Sequence, residues 1–276
     1  MGLLTTHVRP LLPLSVRILG RSYPRAAALD ALDAMRGRSR PRLVPPRRLN
    51  IAGPGDFLAV GAGWVETMRL HAGLAPESHV LDVGCGIGRV AAALTGYLSP
   101  QANYRGFDVI KFAVEWCQRE IGGQFPNFEF RHVDVFNESY NPTGAVAGAQ
   151  FSFPYAAGQF DFALATSLYT HLLPDAAERY LAESARVLRP GGTLFSTWYL
   201  AGGGDAPAPI MARFPVDRGH YRLQSAEHPA SAVSYAEPWV REVFERHQFA
   251  VERVVTGKWR GGDGRHNQDF IVARRR

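Results

Sequence analysis

From residue 51 onward the chain alternates short apolar runs with amphipathic stretches. Asp56 opens a pattern whose apolar positions, Val60, Trp64, Val65 and Met68, fall on one helical face and stop near Gly73. His79–Val83 reads as a strand and Arg89–Leu98 as a helix. Tyr104–Phe107 is a second strand, Phe112–Ile121 a second helix and Phe128–Val133 a third strand. Phe160–Ala165 follows as a fourth strand, then a helix from Asp175 to Leu188 and a strand from Thr193 to Trp198. Towards the end, Glu237–His247 is helical, and Val251–Val255 and Phe270–Ala273 are extended. Strand–helix alternation of this kind predicts right-handed crossovers and a doubly wound α/β fold, its mainly parallel sheet covered by helices on both faces.

The first fifty residues have a different texture. Residues 26–36 read as a short helix ending at Gly37, followed by RSRPRLVPPRRLN, a proline- and arginine-rich linker with little that can pack. Residues 1–25 hold Arg9, Arg17, Arg21 and Arg25, no acidic residue, and leucines broken by Pro10, Pro13 and Pro24. That pattern is compatible with a transit peptide, a basic segment making peripheral membrane contact, or an extension packed on the body. The expected division is therefore 1–50 as a basic extension and linker, and 51–276 as one domain.

Charge sharpens this division. The chain carries +6, but residues 1–50 contain ten arginines against two aspartates, leaving −2 on the remaining 226 residues. A body without positive excess argues against nucleic acid as partner. Two cysteines, Cys85 and Cys117, without framework spacing point to a reducing, cytoplasmic setting and to no structural metal.

The sharpest local signal is Val80-Leu-Asp-Val-Gly-Cys-Gly-Ile-Gly-Arg89. A buried strand runs into Gly84, Gly86 and Gly88, and a helix starts at once, so the backbone turns tightly where a ligand can approach it. The spacing is G-x-G-x-G followed by Arg89, whereas a dinucleotide loop places a glycine or alanine where Arg89 stands. Asp82 inside the strand adds a carboxylate two residues before the first glycine.

With these residues the sequence resembles the class I S-adenosylmethionine (SAM)-dependent methyltransferases, whose first motif is similar to LDVGCGIGR. Later pieces match in order: Tyr104-Arg-Gly-Phe-Asp108, Phe128-Glu-Phe-Arg-His-Val-Asp134-Val135, Phe160 through His171, the Arg186-Val-Leu-Arg-Pro-Gly-Gly-Thr-Leu194 turn, and Asn267 through Ala273. The resemblance covers residues 51–274 and implies seven strands with the last antiparallel. It also implies SAM as cofactor and S-adenosylhomocysteine (SAH) as product. Gly84, Gly86, Gly88 and the Cys85 backbone match the cradle for ribose and methionine, Asp82 the acidic residue near the methionyl ammonium. Asp108 matches the acceptor of the ribose hydroxyls, a bidentate task for which capping the next helix is the bland alternative. Asp134 matches the partner of the adenine amino group, with Val109 and Val135 as apolar faces. Ser167, with Thr166 beside it, matches a loop passing the methionine, or it caps that loop.

His171, just past the fourth strand, lies at the sheet edge where such folds bind ligands, and its imidazole suits a general base near neutrality. Hydrogen bonding to loop backbone is its alternative. Residues 200–235, rich in Gly, Ala and Pro with Met211, Phe214, His220, Tyr221 and Tyr235, are expected to cap the site with the helix from Asp56. Their aromatics favour a small, fairly apolar acceptor, methylated on oxygen rather than nitrogen or carbon, or serve as the cap's own core. The competing functions are a SAM-binding protein without turnover and an RNA or protein methyltransferase. The segment Thr166-Ser-Leu-Tyr169 lacks the Asn/Asp-Pro-Pro-Tyr pattern of many nucleic-acid methyltransferases.

Overall fold

The computed structural model describes residues 20–201 and 208–276, so most of the basic segment 1–25 lies outside the described residues. Helix α1 is Tyr23–Met35 and α2 is Phe57–Ala72. The chain then runs β1 (Val80–Val83), α3 (Arg89–Leu94), β2 (Tyr104–Asp108), α4 (Lys111–Cys117), β3 (Phe128–His132) and β4 (Phe160–Ala165). It continues as α5 (Pro174–Val187), β5 (Leu188–Trp198), β6 (Leu200–Ala201), α6 (Ala208–Arg213), β7 (Val216–Asp217) and β8 (Tyr221–Leu223). It ends with β9 (Val233–Ala236), α7 (Glu237–Arg246), β10 (Phe249–Val255) and β11 (Asp269–Arg275).

Seven strands form the central sheet in the order β10-β11-β5-β4-β1-β2-β3. β1, β2, β3, β4 and β5 pair in parallel, while β11 runs antiparallel to both β5 and β10. The doubly wound sheet with an antiparallel last strand is as the sequence implied. β1 is buried along its whole length because both faces are covered. Val80 packs with Tyr104, Phe162 and Leu164 on one face, and Leu81 and Val83 with Phe107 and Ala163 on the other.

Asp56 caps α2 by accepting from the Ala59 N–H at 2.7 Å, and Gly73 closes it in the left-handed conformation. α2 lies so close to α3 that a Cβ on Gly61 would sit 2.3 Å from the Arg89 carbonyl oxygen. That close approach fixes the helix over the sheet edge.

The linker expectation requires correction. Pro45 and Pro46 are buried, and Leu43, Val44, Leu49 and Ile51 pack against the core. Buried Asp30 of α1 accepts from the Arg47 and Arg48 N–H groups at 3.0 and 3.2 Å and from Arg48 Nη1 at 3.1 Å. A carboxylate paired across 17 residues leaves no local pattern to read.

The expected cap also differs. Within the described part of 200–235, β6, β9, β8 and β7 make a small second sheet. Phe214 and Tyr235 are fully buried, and Tyr199, Phe214 and Trp259 form an aromatic cluster with the Arg213 guanidinium 4.3 Å from the Tyr199 ring centre. Tyr235 packs into the main core against Trp198, and Phe214 packs on Tyr199 and Trp259, so these aromatics join the insertion to the body.

Asp269 anchors the far side. It is fully buried and accepts from Leu200 N–H, Gly257 N–H, Trp259 Nε1 and Arg260 Nε, all at 2.7–2.8 Å. One side chain thereby ties β11 to the start of β6 and to the loop before β11. Asp269→Ala should cost about 3–5 kcal/mol, since it leaves the Arg260 Nε–H and three other buried donors without their acceptor. A thermal melt within a degree or two of the parent would contradict this.

Candidate functional site

A cavity of about 1100 Å³ opens at the carboxyl ends of the parallel strands. Its walls come from the glycine loop, the ends of β2 and β4, the 135–140 loop, the 51–54 segment with α2, and residues 265–268. That is where an open α/β sheet binds ligands, on either side of the point where its strand order reverses.

The glycine loop is tied into the sheet by its own backbone amides. Gly84 and Cys85 both donate to the Phe107 carbonyl at 3.0 Å, and the Gly86 N–H donates to Asp108 Oδ2 at 2.8 Å. Gly88 has φ +75°, and a Cβ there would meet Cys117 Sγ and Ile121 Cδ1 at 2.8 Å. Burial pushes the thiols of Cys85 and Cys117 well above the usual cysteine range, which disfavours the thiolate at both positions.

Asp108 does two things. Oδ1 accepts from the Ile110 N–H at 2.9 Å, organising the entry to α4, while Oδ2 holds the loop, and the residue still lines the cavity. This is an Asx-type turn ahead of α4 and not the helix cap of the alternative reading, since the N-cap position is Ile110 and carries no side-chain cap; Asp108 stays in the cavity wall. Burial raises its carboxyl above the usual range, against the amides of Ile110, Gly86 and Val109.

Asp82 is almost fully buried. Its Oδ2 accepts from the Tyr104 hydroxyl at 2.7 Å, and Oδ1 has no partner among the described residues. Burial raises this carboxyl to about 7; the Tyr104 hydrogen bond opposes the rise and the nearby Asp108 charge adds to it.

Val109 and Val135 lie in the wall as expected, but Asp134 does not. Beyond β3 the residues alternate, Val133 and Val135 inward and Asp134 outward, where its carboxylate accepts from Asn141 Nδ2 at 3.3 Å. Val135 is followed in the wall by Phe136, Asn137 and Tyr140.

Ser167 and Thr166 line the cavity. Ser167 adopts φ +57°, donates through its N–H to Thr197 Oγ1 at 2.7 Å and through its hydroxyl to Gln268 Oε1 at 3.1 Å. Ser167 thus lies in the cavity wall, and its hydroxyl is spent on the Gln268 side chain and not on the backbone of its own loop. His171 lies in the wall, edge-on to Tyr140 with ring centres 5.9 Å apart. Its Nδ1 is 3.1 Å from the Ala230 carbonyl oxygen, so Nδ1 carries the proton and Nε2 the lone pair. Burial lowers its pKa from the usual value, against the Ala230 and Ser231 carbonyls. Pro229 and Ala230 are the described residues of the insertion that reach the cavity.

Sequence reasoning missed the loop before β11. His266 stacks on Trp64 at 3.4 Å between ring centres, and its Nε2 lies 2.7 Å from Thr67 Oγ1, whose hydroxyl donates to the Gly63 carbonyl at 2.9 Å. Burial first, then nearby cationic groups, lowers His266 to about 4, so it is neutral at physiological pH. Arg265, Asn267 and Gln268 adjoin it in the wall. The Gly- and charge-rich spelling of this loop gave no periodicity to read.

Residues 81–196 match the methyltransferase-domain family. The chain is 35% identical over 121 residues to the phthiotriol/phenolphthiotriol dimycocerosates methyltransferase 1 of Mycobacterium ulcerans, covering 43% of this chain and 36% of that protein. It is 28% identical over 142 residues to the O-methyltransferase cnsE of Penicillium expansum, covering 51% and 45% respectively. The chain thus spans less than half the length of these curated relatives. Among solved structures, the 1,6-didemethyltoxoflavin-N1-methyltransferase of Burkholderia thailandensis, with 1,6-didemethyltoxoflavin and SAH bound, aligns at TM-score 0.51 and 17% identity, covering 93% of this chain and 91% of that one. That likeness is one of fold. Residues 81–196, less than half of the chain, thus resemble a methyltransferase domain, and the chain shares the fold of SAM-dependent methyltransferases.

The cavity fits that cofactor. An unpartnered buried carboxylate oxygen on Asp82 suits an ammonium, and Asp108 at the end of β2 retains acceptor capacity for hydroxyls. Because the Asp82 carboxyl is raised to about 7, an ammonium binds it best once its proton has left. SAH affinity should therefore rise with pH, by up to about tenfold per unit below 7, and level off above. Stability of the ligand-free chain runs the other way. The folded state holds this proton more tightly than the unfolded one, so stability falls as pH rises from about 4 towards 7. Calorimetric titration of SAH between about pH 5 and 8 checks this; an affinity flat over that interval would separate Asp82 from the ligand.

Proposed function

We propose that the chain transfers the sulfonium methyl of SAM to a hydroxyl oxygen of a small, largely apolar acceptor. The observation that carries this reading is one cavity holding both the glycine loop and a tautomer-fixed histidine. Its volume of about 1100 Å³ exceeds the roughly 300–1000 Å³ usual for one small ligand, leaving room for cofactor and acceptor together. The names of the Penicillium relative, an O-methyltransferase, and of the Mycobacterium relative support a small-molecule acceptor.

In this reading Asp108 accepts from the ribose hydroxyls while keeping the loop in place, and Val109 and Val135 flank the adenine. When bound, SAM supplies an already activated methyl group, so the protein contributes mainly alignment. Sheet order divides the work. The ends of β1, β2 and β3 carry the glycine loop, Asp108 and Val135, while those of β4 and β5 lead into His171 and Tyr199. The acceptor belongs over this second half, where Leu172, Leu173 and Tyr199 supply apolar surface.

His171 is the general base. With the Nδ1 proton donated to Ala230, Nε2 is free to take the acceptor's hydroxyl proton as its oxygen attacks the methyl carbon. The downward shift of its pKa keeps the ring neutral and competent at pH 7.

Incubating the protein with isotope-labelled SAM and a library of small hydroxylated compounds, read by mass spectrometry, identifies an acceptor. On that acceptor His171→Asn should lower kcat roughly 10²–10⁴-fold with SAM affinity nearly unchanged. The wild-type rate should be flat at neutral pH and fall on acidification below the usual histidine value of about 6.5. Wild-type turnover in the mutant would remove His171 from the chemistry.

A further inference from the structure

His266, in the loop before β11, lies in the cavity wall with its ring held on two sides. One face stacks on Trp64 of α2, the planes 6° apart and the centres 3.4 Å apart. Nε2 is 2.7 Å from Thr67 Oγ1, and that hydroxyl spends its one proton on the Gly63 carbonyl at 2.9 Å. Nε2 is therefore the nitrogen that carries the proton, and Nδ1 holds the lone pair. Nδ1 meets no donor among the described residues. Burial, then the neighbouring cations, lower the pKa of this imidazole to about 4. A group of that strength is a poor base for a hydroxyl, yet it accepts a hydrogen bond at every physiological pH.

The loop emerges over the half of the cavity assigned to the acceptor. β11 runs antiparallel to β5, and its first residue, Asp269, pairs with Trp198 at the end of β5. Gln268, just beyond His266, accepts from Ser167 Oγ and Thr197 Oγ1 at 3.1 and 2.7 Å and donates to Thr170 Oγ1 at 3.4 Å. These bonds sew the loop to the segment after β4 that carries His171. Two imidazoles thus reach one cavity from adjoining loops, each with one nitrogen tied to the protein and the other free, Nε2 of His171 and Nδ1 of His266. The carboxylates read as holding SAM, Asp82 and Asp108, stand on β1 and β2, on the other side of β4.

We propose that His266 selects the methyl acceptor by accepting a hydrogen bond at Nδ1 from a second hydroxyl, so that the acceptor is a dihydroxy compound held between the two histidines. This rests on the hydroxyl-transfer reading above. The hydroxyl at His171 loses its proton and takes the methyl, while the one at His266 keeps its proton. An acceptor without the second hydroxyl strips water from Nδ1 and returns no hydrogen bond, which is how a hydrogen-bonding site rejects the wrong ligand.

Phenol, catechol, resorcinol and hydroquinone are the probes, the last three offering a second hydroxyl at different spacings. With isotope-labelled SAM, the wild type should use at least one dihydroxybenzene with a kcat/KM about 10–100-fold above that for phenol. His266→Gln keeps a polar end for Thr67 but loses Nδ1, and should bring that ratio to within about threefold of unity. His266→Asn keeps an acceptor near the Nδ1 position but loses the Thr67 tie, and should retain most of the preference. The opposite order of the two variants would overturn the proposal and leave His266 as a tie between loop and helix. Turnover of phenol as well as the diols by the wild type would overturn it alone and leave the hydroxyl-transfer reading standing. Nitrogen NMR of the histidine-labelled wild type with SAH reads the same contact without turnover, and decides if no probe is methylated or a variant does not fold. His266 should show a protonated Nε2 and an Nδ1 resonance that a diol shifts and phenol does not. A protonated Nδ1, or one that no diol moves, would overturn the proposal. A wild type that does not bind SAH would instead refute the SAM-site reading.

Discussion

The carboxylate of Asp108 accepts from the backbone N–H of Gly86 on one oxygen and of Ile110 on the other. It thereby joins the loop after β1 to the turn after β2, two segments 22 residues apart that must be in register for the cavity to exist. Parallel pairing of Asp82 with Gly106 sets the strands, but strand pairing alone leaves the loop free to move. The amides of Gly84, Cys85 and Gly86 are spent on Phe107 and Asp108, and hydrogen bonds of this kind hold the loop's shape and lower the ordering cost of binding. Burial works against this arrangement by raising the Asp108 carboxyl, and the surrounding amides offset part of that effect.

The remaining walls are held by similar long-range polar ties. Asp269 fixes the loop that brings Arg265 to Gln268 to the cavity, and Gln268 in turn meets Ser167 and Thr197. Arg89 holds the 51–54 segment, and His171 meets the insertion at Ala230. Each of these ties ends at or beside a cavity residue. The core supplies the frame, and a few buried polar groups set the shape of the site.

How much of this was legible follows from where each signal lies. Central strands and their glycine loop have local patterns, and β4 spans Phe160–Ala165 as the sequence suggested. The helix expected over Phe112–Ile121 is instead α4 continued by a π-helical turn at Gln118–Gly122, a change of winding that apolar spacing does not encode. Within 200–235 the strands β6, β7 and β8 have two or three residues, too short for any period. Asp134 follows β3 where the motif puts it, but the motif does not say which face its side chain takes, and it lies outside the cavity wall beside Asn141. His266 and Arg265 were overlooked because only the Asp269 anchor and the Trp64 stack, both long-range, bring their loop to the cavity.

The central claim is that G-x-G-x-G followed by Arg89, with Asp82 and Asp108 behind it, forms a SAM site and not a dinucleotide site. Calorimetric titration of SAH and of NAD into the same preparation tests it most directly. The account predicts saturable binding of one SAH per chain and no heat of binding for NAD. Binding of NAD with no response to SAH would contradict it.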